Sequence, residues 1–119
     1  MVNRLITAAA AMLVAGAAPA GAHAMLEHAS PPVGGQVATA PATLDLSFSE
    51  GVVPRFSHVD VLGPSGQAVR TGPPRSEKNG RDLIVPLPPL PPGQYTVVWR
   101  VTSQDTHRTE GRFRFTVGR

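Results

Sequence analysis

The 119-residue chain contains no cysteine. No disulfide can staple it, and no thiolate is available to bind a metal or attack a substrate. Aromatic residues are few, with one Trp, one Tyr and four Phe. That leaves little to stack on bases or to build a sugar-binding face. Charge of one sign is not concentrated anywhere. The arginines from Arg55 to Arg119 are scattered, and no basic run or helical stripe could grip nucleic acid. Nowhere does an apolar period of 3.6 persist for the length of a helix. No stretch reaches the roughly 20 strongly apolar residues that a membrane span needs.

What is present begins with a leader. Residues 1–22 read MVNRLITAAAAMLVAGAAPAGA, with Arg4 as the positive n-region and an uncharged small-residue stretch from Leu5 to Ala18. Ala20-Gly21-Ala22 fits the A-x-A cleavage rule, so residues 1–22 are expected to be a secretory signal peptide. The mature chain, 23–119, is then 97 of the 119 residues. That length suits one small domain with a single core and a modest stability margin. An exported, mildly basic domain is expected, with no membrane insertion after cleavage.

The mature chain patterns as all-β. In LDLSFS (44–49), Leu44, Leu46 and Phe48 share one face; in HVDVLG (58–63), Val59 and Val61 do. DLIVPL (82–87) is a β-branched run that Pro86 pushes toward an edge or a strand end. QYTVVWRVT (94–102) is the strongest strand. GRFRFTVG (111–118) sets Phe113, Phe115 and Val117 inward against Arg112, Arg114 and Thr116. Proline- and glycine-rich turns separate these runs, and PLPPLPPG (86–93) reads as a rigid crossover. The expected fold is a Greek-key β-barrel or sandwich, immunoglobulin-like or cupredoxin-like, in one small domain.

The chemistry rests on histidine. His23, His28, His58 and His107 are the available imidazoles, and TSQDTHRTEGRF (102–113) places Asp105 two residues before His107. In extended backbone, residues two apart project to the same side. Taken alone, D-x-H equally describes a solvated loop pair. His23 adds to it: cleavage after Ala22 frees an α-amine on a residue that carries an imidazole. Amine nitrogen and Nδ1 can close a chelate ring on one ion. With His107 and Asp105 the set becomes three nitrogens and one oxygen. Tetragonal N,O ligation suits Cu(II), whereas zinc prefers a tetrahedron. The alternative is that His23 is an accident of the cleavage site on a frayed terminus.

The segments HAMLEHASPPVGG, LDLSFSEGV and GQYTVVWRVTSQDTHRTEGRFRFTV resemble CopC-type periplasmic copper-resistance proteins over most of the mature chain. The resemblance implies a Greek-key β-barrel of cupredoxin-like shape. It implies Cu(II) bound by the amine and imidazole of His23, by Asp105 and by His107, with Glu50 as an outer-shell group. It further implies a non-enzymatic periplasmic copper carrier that serves copper resistance or homeostasis, with a CopD-type inner-membrane protein as partner, and a monomer is expected. Some members carry a methionine-rich loop for Cu(I). Here only Met25 lies outside the leader, and GPSGQAVRTGPPRSEKNGRD (63–82) has neither methionine nor histidine. A separate Cu(I) site is therefore not expected, since Cu(I) favours thioether ligands. His28 and His58 match no ligand position and read as structural or solvated.

Two other readings remain at this level. A lytic polysaccharide monooxygenase also pairs an N-terminal histidine with a second one. Asp105 argues against that, because an anionic ligand would fill the position oxygen needs. A metal-free immunoglobulin-like interaction module is the third reading.

Overall fold

The computed structural model describes residues 23–118; the expected leader, 1–22, lies outside them. Seven strands follow in order: β1 (Leu26–Ser30), β2 (Gln36–Val37), β3 (Thr43–Phe48), β4 (His58–Leu62), β5 (Asp82–Pro86), β6 (Gly93–Thr102) and β7 (Arg108–Val117). A 3-10 turn, Pro54–Phe56, precedes β4. Among the described residues no helix is long and apolar enough to cross a membrane.

The strands form two sheets, β1-β3-β5 and β2-β7-β6-β4. Successive strands alternate between the sheets until the β6–β7 hairpin, which gives the Greek-key sandwich. Every pair is antiparallel except β2 with β7. Period-two patterning explains the core. Leu44, Leu46 and Phe48 face Val59, Val61, Val97, Phe113 and Phe115 across the sandwich, all buried. Trp99 lies edge-on to Phe48, with ring centroids 5.3 Å apart. Gly111 is opposite Trp99 in the ladder, and a Cβ there would stand 2.5 Å from Trp99 Cζ2.

Most sequence-read strands are present within a residue of their expected limits, and Pro86 is the last residue of edge strand β5. The PLPPLPPG segment crosses from one sheet to the other, with its own Leu90 buried. Three features differ. The final strand starts at Arg108, three residues before the apolar alternation does; there the β6 ladder and the inward Thr109 hydroxyl, not an apolar side chain, hold the strand. The short β2 has no apolar alternation to mark it. In β1 the register slips by one residue between Leu26 and His28. That bulge breaks the alternation, so Leu26 packs on the core while His28 is exposed.

Candidate metal centre

Three chain segments converge at one end of the sandwich. The first is the stretch leading into β1. The Ser49 amide donates to the Met25 carbonyl at 2.8 Å, and the Met25 amide donates to Ser49 Oγ at 2.9 Å. Ala24 is buried, and its carbonyl accepts the Thr109 hydroxyl at 2.7 Å. The second segment leaves β3, where Val52 bridges to Ser103 and Gly51 accepts the Gln104 amide at 3.0 Å. The third is the turn from Ser103 to His107 that joins β6 to β7. The Ser103 amide closes it on the His107 carbonyl at 2.8 Å, and Thr106 takes φ +72°.

These segments bring together the three expected ligand residues. The His23 and His107 rings meet edge to face, with centroids 4.9 Å apart and planes at 77°. Asp105 Oδ1 lies 3.3 Å from His107 Nδ1 and accepts the hydroxyl of Ser103. The Asp105–His107 neighbourhood arises differently from the sequence expectation. The segment is a tight turn, not extended backbone, and the left-handed Thr106 swings the chain so that the two side chains meet. Among the described residues, no group of three or more His, Asp or Glu side chains closes around a single point. The cluster is a chain of neighbours, His23 to His107 to Asp105.

Its electrostatics are specific. His23 Nδ1 is buried and has no hydrogen-bond partner. A buried unpaired polar atom is costly, which makes it a place for a ligand. It is also the nitrogen that a chelate with the His23 amine would use. The Ser103 hydroxyl holds the Asp105 carboxyl below the usual range, with further help from His107 against a partial desolvation that works the other way. With Oδ1 engaged by Ser103 and His107, Asp105 Oδ2 makes no hydrogen bond among the described residues and is free to bind a cation. A carboxylate against Nδ1 of His107 leaves Nε2 of that ring as its donor atom.

Glu50 sits between Ser49 and Gly51, which are tied to the first and third segments, and its carboxylate has no ion-pair partner among the described residues. His28 and His58 are kept apart from the cluster in the strand ladder. His28 is exposed on β1, and His58 starts β4 beside Arg100. His58 instead lines a cleft of about 380 Å³ with Phe56, Arg100, Thr102, Arg108 and Glu110. Sequence reasoning missed Ser103, which is buried and bonds both to Asp105 and to the backbone of His107. The motif WRVTSQDTH contained it, but a serine in a polar loop carries no mark of burial.

The fold and this cluster define a class, small Greek-key sandwich domains with an imidazole–carboxylate group at one end. The CopC domain family matches residues 26–118, and the chain belongs to that family. Protein YobA of Escherichia coli (strain K12) is 45% identical over 98 residues, covering 81% of this chain and 79% of that protein. Copper resistance protein C of Escherichia coli is 38% identical over 104 residues, covering 81% and 82%. The crystal structure of CopC from Methylosinus trichosporium OB3b matches with a TM-score of 0.76 and 35% identity, covering 80% of this chain and 93% of that one.

Proposed function

We propose that this protein binds Cu(II) in the periplasm and carries or sequesters it for copper resistance, without catalysing a reaction. The ligands are the amine and Nδ1 of His23, His107 and Asp105. Glu50 stands in the outer shell. The observation that carries this reading is the buried, unpartnered Nδ1 of His23 beside the His107 ring. Membership of a family that includes copper resistance protein C supports the metal and the role. Cu(II) is the cargo. Imidazole and amine nitrogens with one carboxylate oxygen match its tetragonal preference.

Cleavage after Ala22 creates the site. Before the cut, the backbone nitrogen of His23 is an amide and a poor neutral donor. Afterwards it is a primary amine that can chelate with its own imidazole. Assembly therefore follows export. The protein acts as a monomer and passes copper to a CopD-type inner-membrane protein. The carboxylate of Asp105 disfavours the open position that oxygen activation requires, so a carrier fits better than an oxidase.

Three forms of the chain test this: one starting at His23, one with a glycine placed before His23, and the uncleaved chain. Only the first is expected to bind one Cu(II) per chain with a tetragonal electron paramagnetic resonance spectrum and full affinity. Equal affinity in all three would remove the amine from the ligand set. Sustained turnover of oxygen with ascorbate and a polysaccharide would overturn the carrier role.

A further inference from the structure

The strand that leaves the metal centre has an open edge. In β7, the Arg114 carbonyl accepts the Gly34 amide at 2.7 Å and the Thr116 amide donates to Gly35 at 2.9 Å, on the side of β2. Backbone groups in a strand repeat every two residues. The N–H and C=O of Glu110 and Arg112 therefore point to that same side, where β2 does not reach, since its ladder covers only Thr116 and Val117. Among the described residues these peptide groups find no partner. The odd-numbered residues face β6 and are fully paired in its ladder.

The same strand carries a strip of positive charge. Arg108, Arg112 and Arg114 are exposed on its outer face and form no ion pair among the described residues. Glu110, between them, leans toward Arg100 at 4.0 Å, and Arg100 is also bound to Asp60 at 3.2 Å. The strip begins one residue after His107. At about 3.3 Å per residue, Glu110 stands roughly 10 Å along the strand from it.

We propose that this edge of β7 docks an extended acidic segment of a partner protein by strand addition, with acidic side chains against Arg108 and Arg112, an uncharged one facing Glu110, and Arg114 at the end of the docked segment, where Gly34 already takes the strand edge. Main-chain bonds to Glu110 and Arg112 supply affinity, and the arginines select the sign of the partner. A second copy of this edge would set Arg108 against Arg114 in the register that sets Glu110 against Arg112, so an acidic partner suits the edge better. An anionic lipid surface would satisfy the arginines but has no use for the backbone groups. If the metal-carrying reading holds, the docked segment ends beside the cluster, so its owner is a protein that gives or takes the metal. The docking itself does not depend on that reading.

The test uses the purified, metal-free protein and a synthetic decapeptide in which valine alternates with glutamate, with threonine in place of the middle glutamate that would face Glu110. A decapeptide with lysine for glutamate and vesicles containing phosphatidylglycerol serve as controls. Expected are binding of the acidic peptide only, and slowed hydrogen exchange at the Glu110 and Arg112 amides. Reversing Arg108, Arg112 and Arg114 to glutamate should weaken binding by about tenfold or more. Arg112→Pro removes the edge N–H and leaves the β6 ladder intact, so it should abolish binding without changing the melting temperature greatly. No binding, equal binding of the lysine peptide, binding without protection of those amides, self-association, or binding to vesicles alone would each overturn the proposal. Copper stoichiometry, measured separately, reports on the metal centre and not on this edge.

Discussion

At the scale of single residues, the polar atoms around His23 and Asp105 fit the proposed copper site. An unsatisfied buried nitrogen costs about 1–3 kcal/mol, and His23 Nδ1 retains that cost in the folded chain. Ser103 does the reverse for Asp105, since its hydroxyl fixes Oδ1 and leaves Oδ2 outward. Replacing Ser103 by alanine should free the carboxylate to rotate and lose Cu(II) affinity by about 10-fold, the lower end for groups that orient ligands. Ser103→Thr, which keeps the hydroxyl, should restore most of it. Calorimetric titration of both variants measures this, and equal affinity of Ser103→Ala with the parent would show that Asp105 needs no such support.

At the scale of elements, the loop before β5 is held by one carboxylate. Asp82 is buried at the start of β5 and accepts the Ser76 hydroxyl at 2.7 Å and the amides of Glu77 and Lys78 at 3.1 and 3.2 Å. Burial works to raise its pKa, but the hydrogen bonds from Ser76, Glu77 and Lys78 outweigh burial and hold it below the ordinary 3.8. A carboxyl depressed in the folded state stabilises fully above its unfolded value. That contribution disappears as pH falls through the lower folded value. Asp82→Asn should therefore cost about 1–3 kcal/mol at neutral pH and progressively less below pH 3.8. Urea unfolding at pH 7 and pH 3 checks the difference. A cost that is the same at both would place the loop's stability elsewhere. The adjoining segment also bridges Arg75 to Ile84 and so covers the outer edge of β5, which blunts one sheet edge while β7 keeps another open.

For the whole molecule, the proposed copper site would link metal binding to folding. The cluster is built from segments far apart in sequence, joined by contacts such as Thr109 to Ala24 across 85 positions. A ligand that binds only this assembled end stabilises the entire sandwich. With Cu(II) at 1,000 times its Kd, the gain is about 4 kcal/mol, which in a domain of this size raises Tm by about 15 °C or more. His107→Ala should lose nearly all of that rise while its copper-free Tm stays close to the parent's. His28→Ala and His58→Ala should keep the rise. Calorimetry with and without copper decides it. A full copper-induced rise in His107→Ala would remove that residue from the site.

Local chemistry in the sequence carried the sandwich and the identity of the cluster. Period-two alternation chose which faces of β3, β4, β6 and β7 are buried, because burial of alternate side chains is a property each strand has on its own. The junction at Ala22–His23 and the D-x-H pair named His23, Asp105 and His107 for the same reason, since the donor atoms belong to those residue types. Most of the rest needed long-range packing. The β1 bulge, the short β2, the left-handed turn at Thr106 and the burial of Ser103 leave no periodic trace. Three follow from contacts with a distant segment: Phe48 and Ser47 beside β1, Thr116 beside β2, Val52 beside Ser103; the Thr106 turn is closed by local hydrogen bonds between Ser103 and residues 106 and 107, which alternation does not reveal. Tertiary structure alone decided that His23 Nδ1 is shut away from water beside His107. The reason is that the desolvation of an atom is set by everything that surrounds it, and residues 23 and 107 become neighbours only when both sheets have closed.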